Sequence, residues 1–120
     1  MKKLTVLCVE HRSGHLQRMK SALDRAGYGV VCVSSGSEAM AEFSVGNFDG
    51  ALLENDLPDI SGGLLRDWML RLKPGLPVIL ITGGDKQLDF LLRFFESFVL
   101  QPQMCEGSMP EWARLGSGTA

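Results

Sequence analysis

The sequence predicts an α/β domain: five parallel strands in the order 2-1-3-4-5, doubly wound, with helices on both faces to make a three-layer sandwich. Three observations predict it. Short β-rich apolar runs alternate along the chain with segments whose apolar residues recur at helical spacing. Such alternation implies a parallel sheet with right-handed crossovers. The middle run, Ala51-Leu52-Leu53, shows no polar face, as expected of a strand buried on both sides. Finally, each run ends in a polar residue, and this strand order gathers the ends of strands 1 and 3 at its switch point.

The elements follow in order. Leu4 to Val9 is an apolar strand ending in Glu10-His11, with Arg12-Ser13-Gly14 read as a turn. Leu16, Met19, Leu23 and Ala26 mark a first helix, closed by Gly27 as a C-cap. Gly29 to Val33 is the second strand, and Ser34-Ser35-Gly36-Ser37 a polar loop into a helix carrying Ala39, Met40 and Phe43. Asp49-Gly50 turns the chain into the central strand, which ends at Glu54 and is followed by Asp56, Pro58 and Gly62-Gly63. Leu65, Trp68, Met69 and Leu72 mark a third helix, stopped at Lys73-Pro74-Gly75. Pro77 to Ile81 is a fourth strand ending at Thr82. Leu88, Leu91, Leu92 and Phe95 form the stripe of a fourth helix. Ser97 to Leu100 is a short fifth strand ending at Gln101-Pro102. Ser108 and Glu111 have capping-box spacing and start a short last helix, Pro110 to Leu115. The expected organisation is one domain over residues 1–103 and a tail over 104–120.

Composition narrows the function. The 120 residues are 45% hydrophobic and 22% charged with a formal net charge of −2, so no basic surface for nucleic acid is indicated. The apolar run near the amino terminus is too short for a signal-peptide core or a membrane span. Cys8, Cys32 and Cys105 lack metal-type spacing, and Cys8 and Cys32 fall in strands, where a reduced thiol is the default. These features point to a cytoplasmic domain.

The residues at the strand ends are the candidate site: Glu10 and His11, Glu54, Thr82 and Gln101. Their order and spacing resemble a response-regulator receiver domain, the phosphorylation module of bacterial two-component signalling, over roughly residues 4 to 103. The resemblance implies a flavodoxin-like (CheY-like) fold. It also implies that Glu10-His11 stand at the family's acidic, metal-binding pair and Glu54 at the phosphoacceptor position. Pro58 and Gly62 match the loop landmarks, Thr82 the hydroxyl position, Gln101-Pro102 the Lys-Pro pair and Phe98 the switch aromatic. The departures fall on the chemistry: the acceptor aspartate is Glu54, the lysine is Gln101, and one metal-binding acid is His11. The segment between Thr82 and Gln101 is also shorter than the family's usual spacing.

Each departure has a physical consequence. In-line attack on a phosphoryl donor needs a carboxylate at a defined place beside a metal ion. Glutamate moves its oxygens by roughly 1.5 Å, one C–C bond, and a misplacement of about 1 Å can cost roughly a hundredfold in rate. Mg²⁺ prefers oxygen ligands in octahedral geometry and His11 offers nitrogen. Gln101 can donate a hydrogen bond but carries no charge. The expectation is a degenerate receiver, a pseudo-receiver, that is not an enzyme, uses no cofactor and binds magnesium poorly if at all.

For Glu54 three readings stay open: a built-in phosphomimic reaching toward Thr82, a relic, or residual phosphorylation at Glu54 or Asp56. Glu10 and Glu54 side by side would repel unless a cation intervenes, a role protonated His11 could fill. Glu10, His11 and Glu54 as a transition-metal site, and His15 as anything beyond an exposed residue, have little in the sequence to support them. Phe90 and Phe94 lie one turn apart off the core stripe of helix 4 and suggest a partner surface. The expected partner is a protein of a signalling pathway, or a second copy through helix 4 and strand 5, with neither nucleic acid nor membrane contacted directly. The alternative is a small α/β domain whose pocket takes a nucleotide, flavin or metal, although no glycine-rich phosphate loop is present.

Overall fold

The computed structural model of the chain describes residues 3–82 and 89–90. Within them the elements run β1 (Thr5–Val9), α1 (Ser13–Arg25), β2 (Gly29–Val33), α2 (Gly36–Val45), β3 (Gly50–Glu54), α3 (Gly62–Leu72) and β4 (Val78–Ile81). The strands form a parallel sheet in the order β2-β1-β3-β4. The fold is thus the doubly wound α/β architecture expected of the sequence. The expected fifth strand, the stripe of the fourth helix, the short last helix and the boundary at residue 103 lie outside the described residues.

Alternation along the strands divides the core in two. Val6 and Cys8 of β1, Leu52 of β3, and Ile79 and Ile81 of β4 pack with Met19, Ala22 and Leu23 of α1. Leu7 and Val9, Ala51 and Leu53, and Val78 face the other way, against Ala39 and Phe43 of α2 and Leu65 and Met69 of α3. The central strands β1 and β3 have no solvent face, which explains their unbroken apolar runs. Each fully buried Leu or Val contributes about 1.5–3 kcal/mol of hydrophobic stabilisation.

Helix α1 ends as expected, at Gly27. Its φ is +93°, a left-handed conformation that glycine adopts without strain. The Tyr28 N–H donates to the Leu23 carbonyl and the Gly27 N–H to the Asp24 carbonyl, a Schellman closure. The start of α1 differs from expectation. Ser13 and Gly14 are its first residues, so only Arg12 remains of the expected turn. Leu72 also differs: it is 58% exposed, because the apolar face of α3 is completed by Leu65, Met69 and a half-buried Trp68 tilted on Phe43.

Cys8 and Cys32 are register partners on β1 and β2, and both are free thiols. A hydrogen bond to Cys32, with burial, pushes the Cys8 thiol up, and the same bond lowers Cys32. Cys105 lies outside the described residues. Among the described residues, no helix is long and apolar enough to cross a membrane.

Candidate functional site

Parallel pairing of Val9 with Leu53 ends the β1–β3 register, so the next residues, Glu10 and Glu54, emerge side by side. The Glu10 N–H continues the ladder to the Val33 carbonyl, which fixes its backbone. The two acids are 2% and 3% exposed and are the buried charged residues among those described. A pair of carboxylates withdrawn from water needs compensation.

Arg12 supplies it. Its Nη2 lies 3.0 Å from Oε1 of Glu10 and 2.9 Å from Oε1 of Glu54, so one nitrogen bridges both acids. Its backbone N–H donates to Oε2 of Glu10 at 3.2 Å. The remaining oxygen of Glu54 accepts from the Asp56 N–H at 3.1 Å. Among the described residues, Glu54 is held by Arg12 on one oxygen and by the Asp56 backbone on the other. The cation bridging the two acids is Arg12, not His11. His11 is half-exposed and pairs with Glu10, with Nδ1 3.4 Å from Oε2. His15 corrects a second expectation: its side chain is only 17% exposed, and Nδ1 lies 3.3 Å from Oε1 of Glu10. Helix α1 turns His15 back over the end of β1, which a linear reading does not reveal.

The loop between β3 and α3 forms the other wall. Asp59 accepts from the N–H groups of Gly36 and Ser37 at 2.8 and 2.9 Å, tying this loop to the start of α2 and holding its carboxyl below the usual range. Ser35 accepts from the Glu38 N–H, and Glu38 accepts from the backbone and hydroxyl of Ser34, which lowers its pKa too. Ser61 caps α3 through the Leu64 N–H, while Asn55 receives Gly62 on its carbonyl and Gly63 on its side chain. At Gly62 a Cβ would collide with the Glu54 carbonyl and the Asn55 backbone, so glycine is what allows α3 to start so close to β3. His11 and residues 55–61 line an open groove of about 560 Å³ beside the acids.

Thr82 follows β4 directly and is exposed. Phe90 is 65% exposed, and its neighbour Asp89 pairs with Arg18 of α1. Phe94, Phe98 and Gln101 lie outside the described residues.

The divalent cation that the receiver resemblance implies does not fit these donors as they stand. Both oxygens of Glu10 and both of Glu54 already face N–H or ring-nitrogen groups, and a guanidinium sits between the two acids. A hard oxygen-seeking ion would have to displace that clamp.

Comparison with known proteins agrees with the fold. The family model for the response regulator receiver domain matches residues 6–97. The transcriptional regulatory protein CreB of Escherichia coli K12 is 32% identical over 92 residues, 77% of this chain and 40% of CreB. The sensory transduction protein RegX3 of Mycobacterium tuberculosis H37Rv is 32% identical over 85 residues, 71% of this chain and 37% of RegX3. The chain thus spans about two-fifths of the length of these curated relatives. Among solved structures, the non-phosphorylated HemR receiver domain of Leptospira biflexa superposes with a TM-score of 0.63 at 29% identity, over 75% of this chain and 76% of that one. TrrA of Thermotoga maritima, in complex with Mg²⁺-BeF, gives 0.65 at 25% identity, over 77% and 80%.

Proposed function

The chain belongs to the response regulator receiver family, and we propose that this member signals through protein–protein contact without taking up a phosphoryl group. The observation that carries the reading is the Arg12 clamp on Glu54, the residue at the acceptor position. An attacking carboxylate needs a free oxygen aimed at the incoming phosphorus with a metal ion beside it. Here one oxygen of Glu54 is held by a cation and the other by the Asp56 N–H, 2.9 and 3.1 Å away. Glu54 then serves as an anchor that joins the end of β3 to the start of α1. The domain is a signalling module with no catalytic residue, acting in the cytoplasm.

The partner in this reading is a protein of a two-component pathway. A solved complex of the histidine kinase ThkA with TrrA, which this chain resembles at 28% identity and a TM-score of 0.63, supports docking of this kind, over 67% of this chain and 69% of that one. Exposed Phe90, with Phe94 one turn on in the sequence, supplies an apolar contact for such a protein or a second copy.

Incubation with radiolabelled acetyl phosphate and Mg²⁺ tests the reading. The expected result is no covalent label on the protein. Label that appears on the wild type and disappears in Glu54→Ala would overturn it.

A further inference from the structure

We propose that Arg12 is the pocket's resident cation: its guanidinium holds the two buried acids together and shuts the acid pair against divalent metal ions. The inference rests on the reading of the site as one that does not transfer phosphate, and names what took the metal's place.

Position is the first argument. The acids are buried whereas the Arg12 side chain is 42% exposed, so the guanidinium lies on the solvent side of the carboxylates it bridges. An ion arriving from solution meets the arginine first. Tethering is the second. Arg12 is two residues from Glu10 and bonds it through backbone and side chain, so the cation stays near the acids at an effective concentration of at least the order of millimolar. Dissolved divalent ions compete poorly with such a resident.

The poor fit of Arg12 to its own helix start is the third argument. Arg12 occupies the N-cap position of α1, with φ −86° and ψ 114°, and makes no side-chain cap hydrogen bond. Ser, Thr, Asp or Asn would satisfy the free N–H groups there, and a cation is unfavourable at the positive end of a helix dipole. The first turn of α1 also lacks an acid. A residue that suits its helix so badly is accounted for by the acids it clamps.

With Arg12 in place no three of the described His, Cys, Asp and Glu residues are arranged to hold a metal ion; removing the guanidinium frees Glu10 and Glu54 to move, with His11 and His15 beside Glu10. Mixed oxygen and nitrogen donors accept a transition ion such as Mn²⁺ more readily than Mg²⁺. The test is Mn²⁺ binding to the full chain, followed by electron paramagnetic resonance of free Mn²⁺ and by the rise in melting temperature with added ion. Wild type is expected to show no saturable binding in the micromolar to millimolar range. Arg12→Ser and Arg12→Gln are expected to gain saturable binding at least about tenfold tighter, lost again when Glu54→Ala is added. Saturable binding by the wild type in that range would overturn the proposal; so would a folded Arg12→Gln with no gain. The wild-type arm stands even where a variant fails to fold. Manganese binding by a wild type that takes up no phosphate sinks this inference alone, whereas phosphate uptake sinks the reading beneath it.

Discussion

Two helix starts flank the site, and they are built in opposite ways. Helix α2 opens with Ser35 as its cap, Glu38 in its first turn and Asp59 of a neighbouring loop on the N–H groups of Gly36 and Ser37. Helix α1 opens with Arg12, a cation that caps nothing on its own helix. The first arrangement satisfies its helix and uses the surplus to moor the β3–α3 loop. The second is poor for its helix and good for the acids at the ends of β1 and β3. Local rules are broken where a side chain is committed elsewhere, and here the commitment is to Glu10 and Glu54.

Substitution at the two starts sharpens the contrast. On helix grounds alone, Arg12→Ala should be neutral or slightly stabilising, since it removes a cation from the dipole's positive end. The clamp predicts the reverse. Leaving two buried carboxylates without their shared cation should cost about 2–3 kcal/mol, at or below the low end for a broken buried pair because Arg12 is half-exposed. Ser35→Ala should cost about 1 kcal/mol, the usual loss of a cap. Urea unfolding of both variants checks the order, and an Arg12→Ala as stable as wild type would erase the distinction.

Acid is a gentler probe of the α2 side. Asp59 and Glu38 have carboxyls held below the ordinary range by the N–H and hydroxyl groups that face them. A depressed folded pKa means that their contribution is present above the unfolded value, about 4 for such carboxyls. It fades as pH falls through the lower folded value. The wild-type urea midpoint should therefore drop as pH falls below about 4, and Asp59→Asn should drop by less. Identical pH profiles for the two would show that Asp59 does not moor the loop.

The sequence disclosed much of this molecule and missed one decisive residue. All four described strands fall within a residue or so of expectation, because β1 and β3 have no polar face and β2 and β4 stop at clear polar or glycine boundaries. The meeting of Glu10 and Glu54 was legible too, since parallel register and the switch point bring the ends of strands 1 and 3 together. Arg12 was not. Its neighbours Ser13 and Gly14 resemble a turn, and a long flexible side chain can extend to solvent or fold back without changing the sequence pattern. His15 was hidden for the same reason: its place over Glu10 depends on α1 starting at Ser13. A signal was present in Glu10-His11-Arg12, where an acid expected to be buried is followed by a cation two residues on. The charge balance of the acid pair calls for a cation, and the structure supplies it from Arg12 where the sequence pointed to the adjacent His11.

The account stands on the coupling between Arg12 and Glu54, and a double-mutant cycle measures it. Wild type, Arg12→Ala, Glu54→Gln and the double variant would be unfolded in urea at neutral pH and the four free energies compared. A clamp predicts favourable coupling of about 1–3 kcal/mol, the range for residues sharing one charge network. Additive effects, with coupling near zero, would mean that the bridge across the acids does not hold the site together.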